Sequence, residues 1–206
     1  MTLPNKLTLI RISLVPIFMA FIFSDNLYTR ILALLIFIVA SLTDIYDGLL
    51  ARRYQCITDF GRFMDPLADK LLICSAFISF VELRELKIPA WMVIVIISRE
   101  FIITGLRSVA ARKGEVIPAD SAGKFKTTSQ IIVIIIILLI LIINTWLEKI
   151  RHLPPADLLL SKGWLYYFGL TLRELPFFLV FLATIMTVIS GLSFIFKNKT
   201  ILREGM

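Results

Sequence analysis

The run IIVIIIILLILII at residues 131–143 decides the fold class. No charged side chain falls between Thr127 and Leu147, so the apolar stretch around this run is long enough to cross a hydrocarbon core as a helix, which takes about 20 residues. Helices are the required form, because lipid offers no partners to backbone N–H and C=O groups. The whole chain agrees with its most apolar segment. It is 206 residues long, 58% hydrophobic and 18% charged, with a mean hydropathy of +0.88. Soluble domains hold about 45–50% apolar and about 25% charged residues, so that class is excluded.

Working outward from this span, five more candidates appear: about 7–23, 31–51, 63–81, 89–110 and, after the central run, 176–196. The chain is therefore expected to be an all-α integral membrane protein with six transmembrane helices. Lys and Arg on alternate connections number thirteen against seven, which puts the richer side, with both termini, in the cytoplasm. The segment from Glu148 to Leu175 is the longest break and holds Trp164, Tyr166 and Tyr167, rings suited to an interfacial helix or belt. Arg11 lies inside the first apolar segment and no small-residue cleavage site follows Phe23, so that segment is read as a retained helix. No repeat, low-complexity tract or linker divides residues 1–206, which are read as a single domain. Cys56 and Cys74 lack pairing or metal-ligand spacing, and the lone histidine, His152, falls in the outer loop. The net charge of +7 reads as topology and as attraction to anionic lipid or substrate; no nucleic-acid motif accompanies it.

Against this apolar background, residues 44–70 read DIYDGLLARRYQCITDFGRFMDPLADK. Asp44 and Asp47 are three apart and Asp65 and Asp69 four apart, so each pair shares one face of its helix. One carboxylate at the centre of a membrane helix costs roughly 2.5 to 3.5 kcal/mol, so a group of four calls for compensating cations. Oxygen-only ligands select a hard ion such as Mg²⁺ or Mn²⁺. Four carboxylates exceed what one Mg²⁺ usually takes from protein, and a two-metal site accounts for the surplus. Gly48 and Ala51 continue the stripe with Arg52; the glycine admits close approach, and Arg52 offers a donor fork for phosphate oxygens.

The pattern D44-x2-D47-G48-x2-A51-R52-x8-G61-x3-D65-x3-D69 resembles the complete signature of the CDP-alcohol phosphotransferases. The resemblance implies a six-helix membrane enzyme, with its active site on the cytoplasmic side, that moves a phosphatidyl or similar group from a CDP-linked donor to an alcohol and releases CMP. It implies two divalent ions held by Asp44, Asp47, Asp65 and Asp69, with Asp69 also deprotonating the acceptor hydroxyl. It further implies a CDP-donor site at Asp44, Asp47, Gly48, Ala51, Arg52 and Gly61, and a homodimer.

Basic residues beyond the acidic stretch point to an anionic acceptor: Arg99 and Arg107 on the fourth span, then Lys124 and Lys126 in SAGKFKT. Arg99 and Glu100 can equally form a buried structural pair or a dimer contact. LPNKLTLIR at the start, SREFIITGLRSVAARKG and SAGKFKT resemble the bacterial phosphatidylglycerophosphate synthases. That resemblance implies CDP-diacylglycerol and sn-glycerol 3-phosphate as substrates, in a multi-pass protein of the bacterial cytoplasmic membrane. The acceptor phosphate is assigned to Arg107 and Lys124, with Arg99 and Lys126 second. Asn5 either caps the first helix or touches the donor. Within the family the alternative is another acceptor, as in cardiolipin or phosphatidylinositol phosphate synthases. Outside it, the same acids suit a divalent-metal transporter, but they sit near one surface with no internal repeat, unlike a midplane transport site.

Overall fold

The structure, a computed structural model, describes residues 3–54, 59–112, 121–160 and 163–198. Within those stretches, the side chains of 3–7, 44–54, 59–67, 69, 111–112, 121–124 and 155–156 lie outside the described set. Among the described residues there are six long helices and no strand: α1 (Leu3–Ile22), α2 (Leu27–Tyr54), α3 (Asp59–Glu82), α4 (Ala90–Arg112), α5 (Ser121–Arg151) and α7 (Trp164–Lys197). A 3-10 turn (Arg84–Leu86) joins α3 to α4, and the short α6 (Pro155–Leu158) precedes α7.

Each boundary has a local cause. Asn26 caps α2, its Oδ1 accepting the Tyr28 N–H at 3.1 Å. At the end of α5, His152 turns left-handed (φ 51°) and the Leu153 N–H reaches back to the Leu147 carbonyl at 3.0 Å, which closes the helix. His152 thus has a backbone role that its side chain did not announce. Gly163, at φ 79° and ψ −144°, starts α7 in a conformation other residues adopt only with strain.

Both final long helices run past their expected limits. α5 spans Ser121–Arg151 rather than 127–147, and α7 begins at Trp164 rather than 176. Pro176 lies inside α7. A proline there removes one donor, which a long helix in contact with neighbours tolerates. Trp164, Tyr166 and Tyr167 accordingly form the exposed first turn of α7 and not a separate interfacial helix. The stretches Phe125–Arg151 and Trp164–Lys197 are long and apolar enough to cross a membrane. α1 and α2 carry shorter apolar stretches among the described residues, Thr8–Ile22 and Leu27–Thr43.

The core draws on α1, α2, α3, α4, α5 and α7 through residues such as Phe18, Phe37, Phe77, Met92, Ile134 and Val180. Phe18 and Phe37 join α1 to α2 with ring centroids 5.9 Å apart. α1 packs against both α2 and α3, while α7 lies against α4 and α5. Outside this core, Phe178, Leu182, Ile189 and Phe196 stay exposed along α7, an outer surface suited to hydrocarbon.

A polar knot closes one end of the bundle. Arg30, 5% exposed, donates through Nη1 to Thr145 Oγ1 at 2.6 Å and to the Leu141 carbonyl at 3.1 Å. Its Nη2 reaches Asp25 Oδ1 at 3.0 Å and Glu85 Oε1 at 2.8 Å. One guanidinium therefore ties the α1–α2 connection, the 3-10 turn and α5. Burial pushes the Glu85 carboxyl above its usual range, more than the Arg30 charge draws it down. Asp25 is largely exposed, so its pair adds little. The strength lies in the buried bonds. Arg30→Ala is expected to cost about 2 kcal/mol, the scale of hydrogen bonds to a charged group, read as a lower midpoint of thermal unfolding in detergent.

Candidate active site

α2 carries Asp44, Asp47, Gly48, Ala51 and Arg52 in its second half, and α3 carries Gly61, Asp65 and Asp69 in its first half. Both segments are continuous α-helix, so the spacings of three and four residues do place each acidic pair on one helix face. α2 ends at Tyr54 and α3 starts at Asp59, which keeps those ends within about 18 Å of each other. The connection is shorter than the gap between the expected spans 31–51 and 63–81. The side chains of all these residues, and of Lys124, lie outside the described set, as does Cys56.

Beyond Asp69 the geometry is explicit. Lys70, the next residue, lines a cavity of about 60 Å³ with Ile73 and Cys74 of α3, Glu100 of α4, and Thr127 and Gln130 of α5. Such a volume holds a few water-sized groups. The acidic helix α3 thus shares a polar pocket with the helices that carry the basic residues. Cys74, which lacks pairing or metal-ligand spacing, is buried and forms part of its wall.

The three basic candidates whose side chains are described, Arg99, Arg107 and Lys126, divide into different states. Lys126 is 2% exposed and its Nζ pairs with the Glu100 carboxylate, itself 14% exposed. Arg99 places Nη1 3.7 Å from Glu100 Oε1 and donates through Nη2 to Ser190 Oγ at 2.8 Å. The structural alternative for the Arg99 and Glu100 pair is therefore the observed one, with Lys126 as a third member. Arg107 differs: its guanidinium sits over the Phe194 ring, 5.3 Å from the centroid, and among the described residues it makes no hydrogen bond or ion pair.

Sequence reading missed the contribution of α7. Ser190, Gly191 and Phe194 are buried and face α4. Nearby, Thr187 Oγ1 receives a long 3.4 Å contact from Gln130 Nε2 of α5. The available signal was the series Thr184, Thr187, Ser190 and Gly191, small and polar positions at helical spacing inside an otherwise apolar span. Removing the shared anion should strand Lys126. Glu100→Gln is expected to destabilise the protein by about 3 kcal/mol, the cost of breaking a buried pair from one side, and adding Lys126→Met should recover most of it in the same unfolding measurement.

A family model for CDP-alcohol phosphatidyltransferase matches residues 1–153. The chain is 49% identical over 142 residues to the CDP-diacylglycerol–glycerol-3-phosphate 3-phosphatidyltransferase of Bacillus subtilis, covering 63% of this chain and 72% of that protein. It is 44% identical over 133 residues to a probable phosphatidylglycerophosphate synthase of Mycobacterium tuberculosis, covering 63% of this chain and 62% of the relative. A Rickettsia bellii protein with the same name as the Bacillus one is 36% identical over 130 residues, covering 63% of this chain and 70% of the relative. The family is generally dependent on a divalent metal. With its family match covering all but the last part of the sequence, the chain belongs to the CDP-alcohol phosphatidyltransferases.

Proposed function

We propose that this protein transfers the phosphatidyl group of CDP-diacylglycerol to sn-glycerol 3-phosphate, giving phosphatidylglycerol phosphate and CMP. The named relatives support the substrates. In the structure, the observation that carries the acceptor is Arg107, a cation with no anion or hydrogen-bond partner among the described residues, on the helix that also frames the Glu100 cavity. A guanidinium in that state has its donors available for a phosphate. Residues 1–206 act as one domain that crosses the bacterial cytoplasmic membrane six times, with both termini and the reaction on the cytoplasmic side and with a homodimer as the working unit.

Asp44, Asp47, Asp65 and Asp69 form the metal site. As a set of carboxylates on two adjoining helices they fit hard divalent ions, two of Mg²⁺ or Mn²⁺. When bound, these ions neutralise the pyrophosphate and the departing CMP oxygen. Gly48, Ala51 and Gly61 leave room for the donor's diphosphate, and Arg52 forks onto its oxygens.

Arg107, with Lys124, fixes the acceptor phosphate. This turns the encounter of lipid and alcohol into an oriented attack. Arg99 and Lys126 act less directly, since both already neutralise Glu100. Asp69 accepts the proton of the acceptor hydroxyl. The hydroxyl oxygen then bonds to the lipid-side phosphorus, and the bond from that phosphorus to the CMP oxygen breaks with its electron pair. Membership of a transferase family displaces the transport alternative.

Asp69→Asn is expected to reduce CMP release at least a hundredfold, the scale of a lost general base, while the protein extracts and elutes like wild type; normal turnover would remove Asp69 from the base role. Offered glycerol 3-phosphate, inositol phosphate, serine and phosphatidylglycerol in parallel, the purified enzyme should release CMP with glycerol 3-phosphate. Product formed with phosphatidylglycerol alone would point to cardiolipin synthesis instead.

A further inference from the structure

α7 lies beyond the family match, which ends at residue 153, yet it touches Arg99 and Arg107 of α4. We propose that Ser190, Gly191 and Phe194 of α7 position Arg99 and Arg107, and through them set the affinity for the anionic acceptor. This inference rests on the assignment of the acceptor phosphate to Arg107 made above.

Three different contacts converge on the two side chains. Ser190 Oγ accepts from Arg99 Nη2 at 2.8 Å. Gly191 lets the arginine stem lie against the helix: a Cβ there would stand 3.1 Å from Arg99 Cγ, tighter than ordinary packing. Phe194 presents its ring to Arg107 at 5.3 Å. That ring is only 4% exposed, so the attraction between cation and ring operates away from water, where it is strongest.

The arrangement suits positioning and not charge neutralisation. A ring holds a guanidinium from one face without using its N–H groups, and the in-plane donors stay available for a bidentate contact with phosphate. An unsupported arginine has many rotamers to lose when its ligand arrives. One already docked on Phe194 loses fewer, so the same hydrogen bonds give tighter binding. A carboxylate in place of Phe194 would hold the arginine as firmly and occupy the donors that the acceptor needs. The neighbouring arginine shows the contrast, since Arg99 is committed to Ser190 and Glu100. Phe194 is a positioning residue in this reading, touching the arginine and not the substrate.

The test is steady-state kinetics on the purified full chain in mixed micelles, varying glycerol 3-phosphate and CDP-diacylglycerol separately. Phe194→Leu should raise the KM for glycerol 3-phosphate roughly three- to tenfold, with kcat and the donor KM unchanged. Phe194→Tyr, which keeps the ring, should hold the wild-type acceptor KM. If the leucine variant does not fold, Phe194→Met, which keeps bulk without a ring, carries the same expectation. A wild-type acceptor KM in Phe194→Leu or Phe194→Met overturns the proposal, and so does a loss spread equally over kcat and both KM values. Arg107→Ala separates the two levels of inference. If it raises the acceptor KM while Phe194→Leu does not, only the positioning role falls. If Arg107→Ala itself leaves the acceptor KM unchanged, the acceptor assignment falls and takes the positioning role with it.

Discussion

An ionised group inside an apolar helix bundle has to find its partners within the protein, and this constraint organises the molecule at two places. Around Arg30 the guanidinium gathers a carbonyl, a hydroxyl and two carboxylates from three parts of the chain. Around Glu100 the roles reverse, one carboxylate serving Arg99 and Lys126 together. Desolvation makes each group costly by itself and worth retaining only in its set. The knots therefore fix which helices are neighbours: α2, α5 and the 3-10 turn at one, α4, α5 and α7 at the other.

Much of this was legible in the sequence, and the parts that were follow from length and period. A span must be long and apolar, so the run 131–143 marks α5, and the other apolar stretches each fall on a helix, α7 among them long and apolar enough to cross a membrane. Paired acids at three and four residues need only a helix to share a face, and α2 and α3 supply it. Helix ends were less legible. Hydropathy reports where hydrocarbon would end, whereas backbone hydrogen bonding runs on through Lys149 and Arg151 in α5 and begins at Trp164 in α7. The state of each basic residue was not legible at all. Arg99, Arg107 and Lys126 are alike in composition, and only the tertiary contacts separate the committed cations from the one held by a ring.

The cavity beside Lys70 is where three helices meet. α3 brings the residues that follow Asp69, α4 brings Glu100, and α5 brings Thr127 and Gln130. An acidic helix and two helices bearing basic residues thus meet at one polar space, although nearly thirty positions separate Asp69 from Arg99 along the chain.

The threonines of α7 carry a consequence for how the molecule is put together. Thr184 and Thr187 donate to the Val180 and Ala183 carbonyls of their own helix at 2.8 and 2.7 Å. Their hydroxyl protons are therefore satisfied before any other helix arrives. A segment built this way enters lipid as a self-sufficient rod, with its polar contents folded back upon itself. Docking against α4 then begins from an element already formed.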